Sequence, residues 1–409
     1  MKVWLKTLLA AFAGIILSLI IKQQAPSLPE FFLAISQTAI QLGRYAIFPL
    51  IFFGLVMGTY ELRQSKITIR IYLKTLFYLI AFCLIFTLVG VGSVMLFAPE
   101  RIPLIIVEQQ NYRIPLFWET IFSIFPTNSF QVFSGNGSLL LPVLGFAIIL
   151  GSSLGFDVNI TRPVIQLADS LSRIFFQINS FFVEFFWVFL VFCAASRLLA
   201  LDHNQIELYR QLIIILILDV IILLFGFLPA LLFTLGERKN PFRWIYASLA
   251  PSLTGAITGD LFIGIGSLIF HGRGSFGIPR KINSAVLPIF AVFGRAGTAL
   301  ITSVCFILIL RSYSSFEINI NQIIWVVFFT CLSSFILGSV PGISVLVSLS
   351  FLCSIYGRGL QEGFLLLEPI SPVLISISVF LDITTAAICS KLVANNEEKV
   401  KRIDINNFV

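Results

Sequence analysis

Forty consecutive residues, 318–357, carry no charged side chain. They form the longest of several apolar stretches that exceed the ~20 residues a helix needs to cross the hydrocarbon of a bilayer. The rest of the chain follows suit: of 409 residues, 58% are hydrophobic and 11% charged, with a mean hydropathy of +0.99. A soluble domain carries about 25% charged residues. The fold class expected is therefore an all-α polytopic membrane protein. Water-soluble enzymes, nucleic-acid binders and disulfide scaffolds drop out.

The net charge of +7 does not restore a nucleic-acid partner, because the basic residues stand singly or in small groups between apolar runs. The six cysteines all fall in apolar segments without CxxC spacing, which reads as packing. Residues 1–21 have Lys2 and Lys6 before an apolar run but lack a small-x-small cleavage site, so a retained first helix is expected rather than a signal peptide.

Charges and turn residues delimit candidate spans at 4–21, 31–60, 73–98, 116–156, 174–200, 211–236, 284–311 and 365–394. Two further runs are interrupted. Residues 318–357 break at Gly338-Ser339-Val340-Pro341-Gly342, and 244–270 break at Thr254-Gly255-Ala256-Ile257-Thr258-Gly259-Asp260. Non-helical backbone at membrane depth is tolerated only within protein or beside a watery cavity, so each reads as a re-entrant hairpin whose tip borders a binding site. The alternative is a Gly/Pro loop joining two short crossings. Eight spans plus two hairpins, with the N-terminus inside, put 18 Lys and Arg on the inner side and 7 on the outer, with Arg44 and Arg295 within spans. Both termini are thus expected in the cytoplasm.

Specific strings then resemble the dicarboxylate/amino acid:cation symporter family. Phe125-Pro126-Thr127-Asn128-Ser129-Phe130 is similar to its PTNPF string, and Phe146-Ala147-Ile148-Ile149-Leu150-Gly151 reproduces its FAIILG. Ala46-Ile47-Phe48-Pro49-Leu50-Ile51-Phe52 resembles its MPxxF segment. Ser339-Val340-Pro341-Gly342 is similar to its second hairpin tip, Gly297-Thr298 to the end of NMDGT, and Asp382-Ile383-Thr384-Thr385-Ala386-Ala387-Ile388 to DLTGTAI. The resemblance covers almost the whole chain in the right order. It implies eight transmembrane helices with two re-entrant helical hairpins, usually a homotrimer in the cell (inner) membrane. It also implies a division into scaffold and oligomerisation helices within 1–240 (helices 3 and 6 moving with the transport unit), a transport core at 244–394 and a cytoplasmic tail at 395–409.

By the same resemblance, and for Arg295 by its charge at membrane depth, candidate substrate-binding positions are Asp260, Gly264, Arg295, Thr298, Ser339, Val340, Pro341, Gly342, Ser371 and Ser378. Cation-binding positions fall on Gly294, Ser378 and Asp382, with Asp382 the candidate sodium ligand. The departures bear on function. Where the family has a serine-rich tip this chain has Leu261-Phe262-Ile263-Gly264, and at NMDGT it has Gly294-Arg295-Ala296-Gly297-Thr298, without the sodium-binding aspartate. The family's substrate-reading aspartate, arginine and asparagine fall on Ser371, Leu374 and Ser378. Classical glutamate or aspartate recognition is not expected.

Charges at membrane depth cost several kcal/mol unless paired or hydrated. Arg295 is the sharpest such case: it either captures a substrate anion, replaces a lost sodium, or pairs permanently with Asp260 or Asp382. Asp219 and Glu184 are candidate proton-relay groups or polar contacts between helices. His271, Arg273, Arg280 and Lys281 are expected in a solvated loop after the first hairpin. His203 and His271 fall on opposite sides and no nucleophile has a base, so an enzyme is not expected. The expectation is a symporter-like, elevator-type transporter of a small organic anion or amino acid in the lipid bilayer. It needs no cofactor, and sodium or a proton is the candidate coupling ion. The alternative is a channel-like or regulatory descendant.

Overall fold

The computed structural model describes all residues except 1, 22–27, 104–127, 129–131, 133–139, 202–206, 237–239, 314–318, 337–343, 358, 396, 398–402, 405–407 and 409. Among the described residues the chain is helical, without strands. The helices are α1 (Val3–Ile21), α2 (Leu28–Gln64), α3 (Thr68–Phe97), α4 (Leu141–Ser153), α5 (Val158–Phe185), α6 (Trp187–Leu199) and α7 (Arg210–Ile221). A π-helical segment, Ile222–Phe227, joins α7 to α8 (Leu228–Leu235). There follow α9 (Phe242–Thr258), α10 (Leu261–Gly274), α11 (Arg280–Phe293), α12 (Ala296–Tyr313), α13 (Ile320–Ile336), α14 (Ser344–Tyr356), a 3-10 turn at Gly363–Ile370, and α15 (Ser371–Asn395).

Six of the described helical stretches are long and apolar enough to cross a membrane, or seven if the bent pair α5–α6 is one span. The expected single span at 174–200 is in fact two helices meeting at 60°. The first starts at Val158, earlier than the apolar run, because Asp157 caps it through Asn159 and Ile160 N–H. Its polar face carries Asp169, which pairs with Arg173 at 3.0 Å and with Arg280 at 2.5 Å. Of the span expected at 116–156, only α4 and a few isolated residues lie within the described part.

Helices α9 and α10 have 17 and 14 residues. Each is short of a full crossing, and they pack along each other from a turn at Gly259-Asp260. Helices α13 and α14, of 17 and 13 residues, are a second such pair. The core centres on α12, in which every residue from Ala296 to Leu310 is buried between α3, α15 and α14. The outward faces of α1, α2, α3 and α5 expose Phe12, Phe31, Phe77 and Phe181, as a lipid-facing surface requires.

The stretch expected as a solvated loop at 271–281 is in part helix. α10 continues through His271 to Gly274, and His271 is buried with its Nδ1–H on the Ser267 carbonyl at 2.8 Å. Arg273 lies over the Phe176 ring, 4.0 Å from its centroid. A backbone hydrogen bond holds His271 inside and an aromatic face covers the half-buried Arg273, neither of which charge counting registers.

Candidate functional site

The 34-residue apolar stretch Arg280–Tyr313 is one span by length, yet its helix is broken at Gly294-Arg295. At Gly294 the backbone leaves helical geometry (φ −78°, ψ 71°), and the amide of Arg295 reaches only to the Phe293 carbonyl, at 2.9 Å. α12 restarts at Ala296 without a capping side chain of its own. Its free N–H groups are met from α15: Asp382 Oδ1 accepts Gly297 N–H at 2.6 Å and Thr298 N–H at 3.1 Å, while Oδ2 accepts the Thr298 hydroxyl at 2.7 Å. A helix start left open in this way must find acceptors elsewhere. Here a buried carboxylate supplies them and matches the positive end of the helix dipole.

Gly297 permits that approach. A Cβ on it would stand 2.5 Å from both Leu381 Cβ and the Ser378 carbonyl oxygen. The structure thus brings three of the sequence-selected positions together, Thr298 on α12 with Ser378 and Asp382 on α15, and sets Gly297 between them. The Ser378 hydroxyl itself donates to the Ile375 carbonyl at 2.8 Å.

Arg295 occupies the break. It is 2% exposed; its Nη2 makes one long bond of 3.4 Å to the Ala291 carbonyl and its Nε has no partner. Asp382 and, less strongly, Asp260 lie within its electrostatic reach. Among the described residues no carboxylate oxygen is within 4.0 Å of it. The permanent ion pair considered from sequence is therefore not formed, for a definite reason: Asp382 is taken by α12, and Asp260 by a different arginine.

That arginine is Arg44 of α2. Its Nε donates to Asp260 Oδ2 at 2.7 Å and its Nη2 pairs with the same oxygen. Asp260 Oδ1 meanwhile caps α10 through Phe262 N–H at 2.8 Å. Beside it Gly259 has φ +62°, and the Cβ of any other residue would fall on the guanidinium of Arg197 from α6. Arg197 donates to the Pro372 carbonyl at 3.1 Å and to Ser376 Oγ at 3.3 Å. The turn is thus clasped by two arginines from outside its own helix pair. By sequence Arg197 is one of the orienting charges on the outer side and Arg44 a charge within a span; neither residue has a local motif that points to the turn.

Gly264 is a packing residue of α10, its Cα close to Gly255 of α9 and its Cβ position closed by Ile383 of α15. Ser371 is half-buried where the 3-10 turn becomes α15. Ser339, Val340, Pro341 and Gly342 lie outside the described residues. No group of three or more His, Cys, Asp or Glu converges to hold a metal among the described residues.

Apolar helices long enough to cross a bilayer, one of them broken at a buried charge, define the class as polytopic membrane protein. The chain belongs to the sodium:dicarboxylate symporter family, whose model matches residues 3–396. It is similar to mouse "Excitatory amino acid transporter 4" at 26% identity over 46% of this chain and 34% of the relative. Against human "Neutral amino acid transporter A" the identity is 24%, over 52% and 40%. Against the Caenorhabditis elegans "Putative sodium-dependent excitatory amino acid transporter glt-4" it is 22%, over 58% and 47%. The matched stretches span less than half the length of each of these relatives.

Proposed function

We propose that the chain is a secondary active transporter of a small organic anion, amino acids included, and that Arg295 reads the anion. One observation carries this reading: a wholly buried guanidinium stands at a helix break with an unused Nε–H and no carboxylate within 4.0 Å among the described residues. A buried cation with no carboxylate in contact and an unused donor favours a ligand that brings negative charge, and the guanidinium fork suits a carboxylate. The names of the relatives favour an amino acid or dicarboxylate as cargo.

In this reading α9–α10 and α13–α14 are the two re-entrant hairpins of an eight-span fold with both termini cytoplasmic. A core at 244–394 moves past a scaffold drawn mostly from 1–240, in a homotrimer of the cell membrane. Sodium fits poorly at Asp382. Both carboxylate oxygens already accept donors from α12, residue 296 is an alanine without a side-chain oxygen, and Arg295 supplies positive charge beside them. Coupling to sodium through this carboxylate is therefore not part of the proposal.

Uptake of radiolabelled succinate and L-aspartate into liposomes holding the full chain, with sodium or choline outside, tests it. The expected result is saturable uptake of one of them in choline, lost in Arg295→Met. Uptake that needs sodium, or that survives in Arg295→Met, contradicts it.

A further inference from the structure

Asp219 takes no part in the site above. It lies on the inward stripe of α7 with Leu212, Ile215 and Leu216 and is fully buried against α3. Its Oδ2 is 2.8 Å from Ser93 Oγ, while its Oδ1 is buried without a partner. The same Ser93 Oγ is 3.0 Å from the Gly90 carbonyl oxygen.

A hydroxyl has one hydrogen to give. With Asp219 ionised, that single hydrogen must serve the carboxylate, and the other carboxylate oxygen is left bare in an apolar seam, a costly arrangement. With a proton on Asp219 Oδ2, the carboxyl donates to Ser93 and Ser93 donates to Gly90, so both contacts are made at once. Among the described residues of the elements packed on Asp219, no cation offsets a charge. On α3 the ionisable residues are Arg70, Tyr72, Lys74, Tyr78 and Cys83, the nearest being ten positions from Ser93, about 15 Å along the helix. On the side of α7, Arg210 is nine positions away, about 13 Å, with Glu207 and Tyr209 beyond it, and the segments 222–227 and 228–235 have no ionisable residue.

The helix also changes type at this point. The Ile222 N–H is shared between the Asp219 and Leu218 carbonyls, and residues Ile222–Phe227 then run as a π-helix. Such segments are rare and concentrate at functional positions, where the loosened ladder lets a helix re-aim its side chains.

We infer that Asp219 is a proton-binding site and, resting on the transport reading above, that it carries the coupling proton. In the step proposed, the Oδ2–H bond of Asp219 breaks and the proton passes to a water molecule, giving hydronium. The Ser93 hydroxyl turns from the Gly90 carbonyl to the new carboxylate. Reprotonation by hydronium on the other side of the membrane reverses both movements, so Ser93 follows the charge state of Asp219.

Infrared difference spectra of the full chain in liposomes, wild type against Asp219→Asn and Ser93→Ala, test the site without any substrate. A protonated-carboxyl stretch present in wild type, absent in Asp219→Asn and displaced in Ser93→Ala is the expected result. Spectra with the same carboxyl band in wild type and both variants overturn it. Coupling is tested by succinate and L-aspartate uptake with the liposome interior alkaline. The gradient should accelerate wild-type uptake, and that acceleration should be lost completely in Asp219→Asn while downhill exchange continues. An equal acceleration in both, or none in wild type, refutes the coupling role. If wild type takes up neither probe, the transport reading fails instead, and the infrared result alone decides the proton site.

Discussion

Arg44 on α2 and Asp260 at the turn between α9 and α10 are 216 positions apart in sequence, yet the guanidinium meets one carboxylate oxygen through both Nε and Nη2. The other oxygen of Asp260 caps α10. One acid thereby fixes a helix start and ties it to a distant helix.

Removing Arg44 strands a carboxylate that is 1% exposed, while Arg44 itself is 26% exposed and partly screened. Arg44→Met should therefore destabilise the protein by about 1–3 kcal/mol, below the full cost of a broken buried pair. Arg44→Met with Asp260→Asn should cost less than the two singles added, with a coupling of at least ~1 kcal/mol. Unfolding followed in detergent for the four proteins of this cycle measures it; additive losses contradict the contact.

Gly259→Ala meets two penalties. The left-handed backbone costs about 1–2 kcal/mol for a residue with a Cβ, and that Cβ displaces the Arg197 guanidinium from Pro372 and Ser376. In an Arg197→Ala background the second penalty vanishes. The loss from Gly259→Ala should then shrink to the backbone cost alone, which the same unfolding assay detects.

Gly297→Ala should separate α12 from α15, because the added methyl has nowhere to go between Leu381 and the Ser378 carbonyl. Overpacking of this kind costs about 1–3 kcal/mol. The capping of Gly297 and Thr298 by Asp382 should loosen with it, so amides 297 and 298 should exchange hydrogen faster in the variant than in wild type. Unchanged exchange at those amides contradicts the cap.

Long apolar spans were legible because a bilayer imposes length and leaves charge out; α1 and α2 begin and end within four residues of the expected limits, while α3 starts five residues early and α15 six residues late. The break at Gly294-Arg295 falls inside the span expected at 284–311, where Gly294 and Gly297 flank a charge in an apolar run. The bend between α5 and α6 was not, because nothing at Phe186-Trp187 breaks a helix by residue type. The pairings were also illegible. Arg295 has two candidate partners by sequence, Asp260 and Asp382, and contacts neither, while Asp260 pairs with Arg44, since partner choice depends on which helix passes the turn in space. Gly264 appeared as a tip residue by resemblance, whereas its role in the structure is close packing of α10 on α9 and α15. Single polar residues such as Ser93 and Asp219 carry no spacing signal at all, and only their 2.8 Å approach reveals the pair.

The most direct test of the central claim is the thermal stability of the purified full chain with succinate, L-aspartate and neutral amino acids, in sodium and in choline, for wild type and Arg295→Met. A ligand that binds only the folded state raises stability by about 2.7 kcal/mol at a hundred times its Kd. If Arg295 reads the anion, a carboxylate compound stabilises wild type equally in sodium and in choline and leaves Arg295→Met unmoved. Stabilisation by sodium alone, shared by wild type and Arg295→Met, would contradict it and return the cation to Asp382.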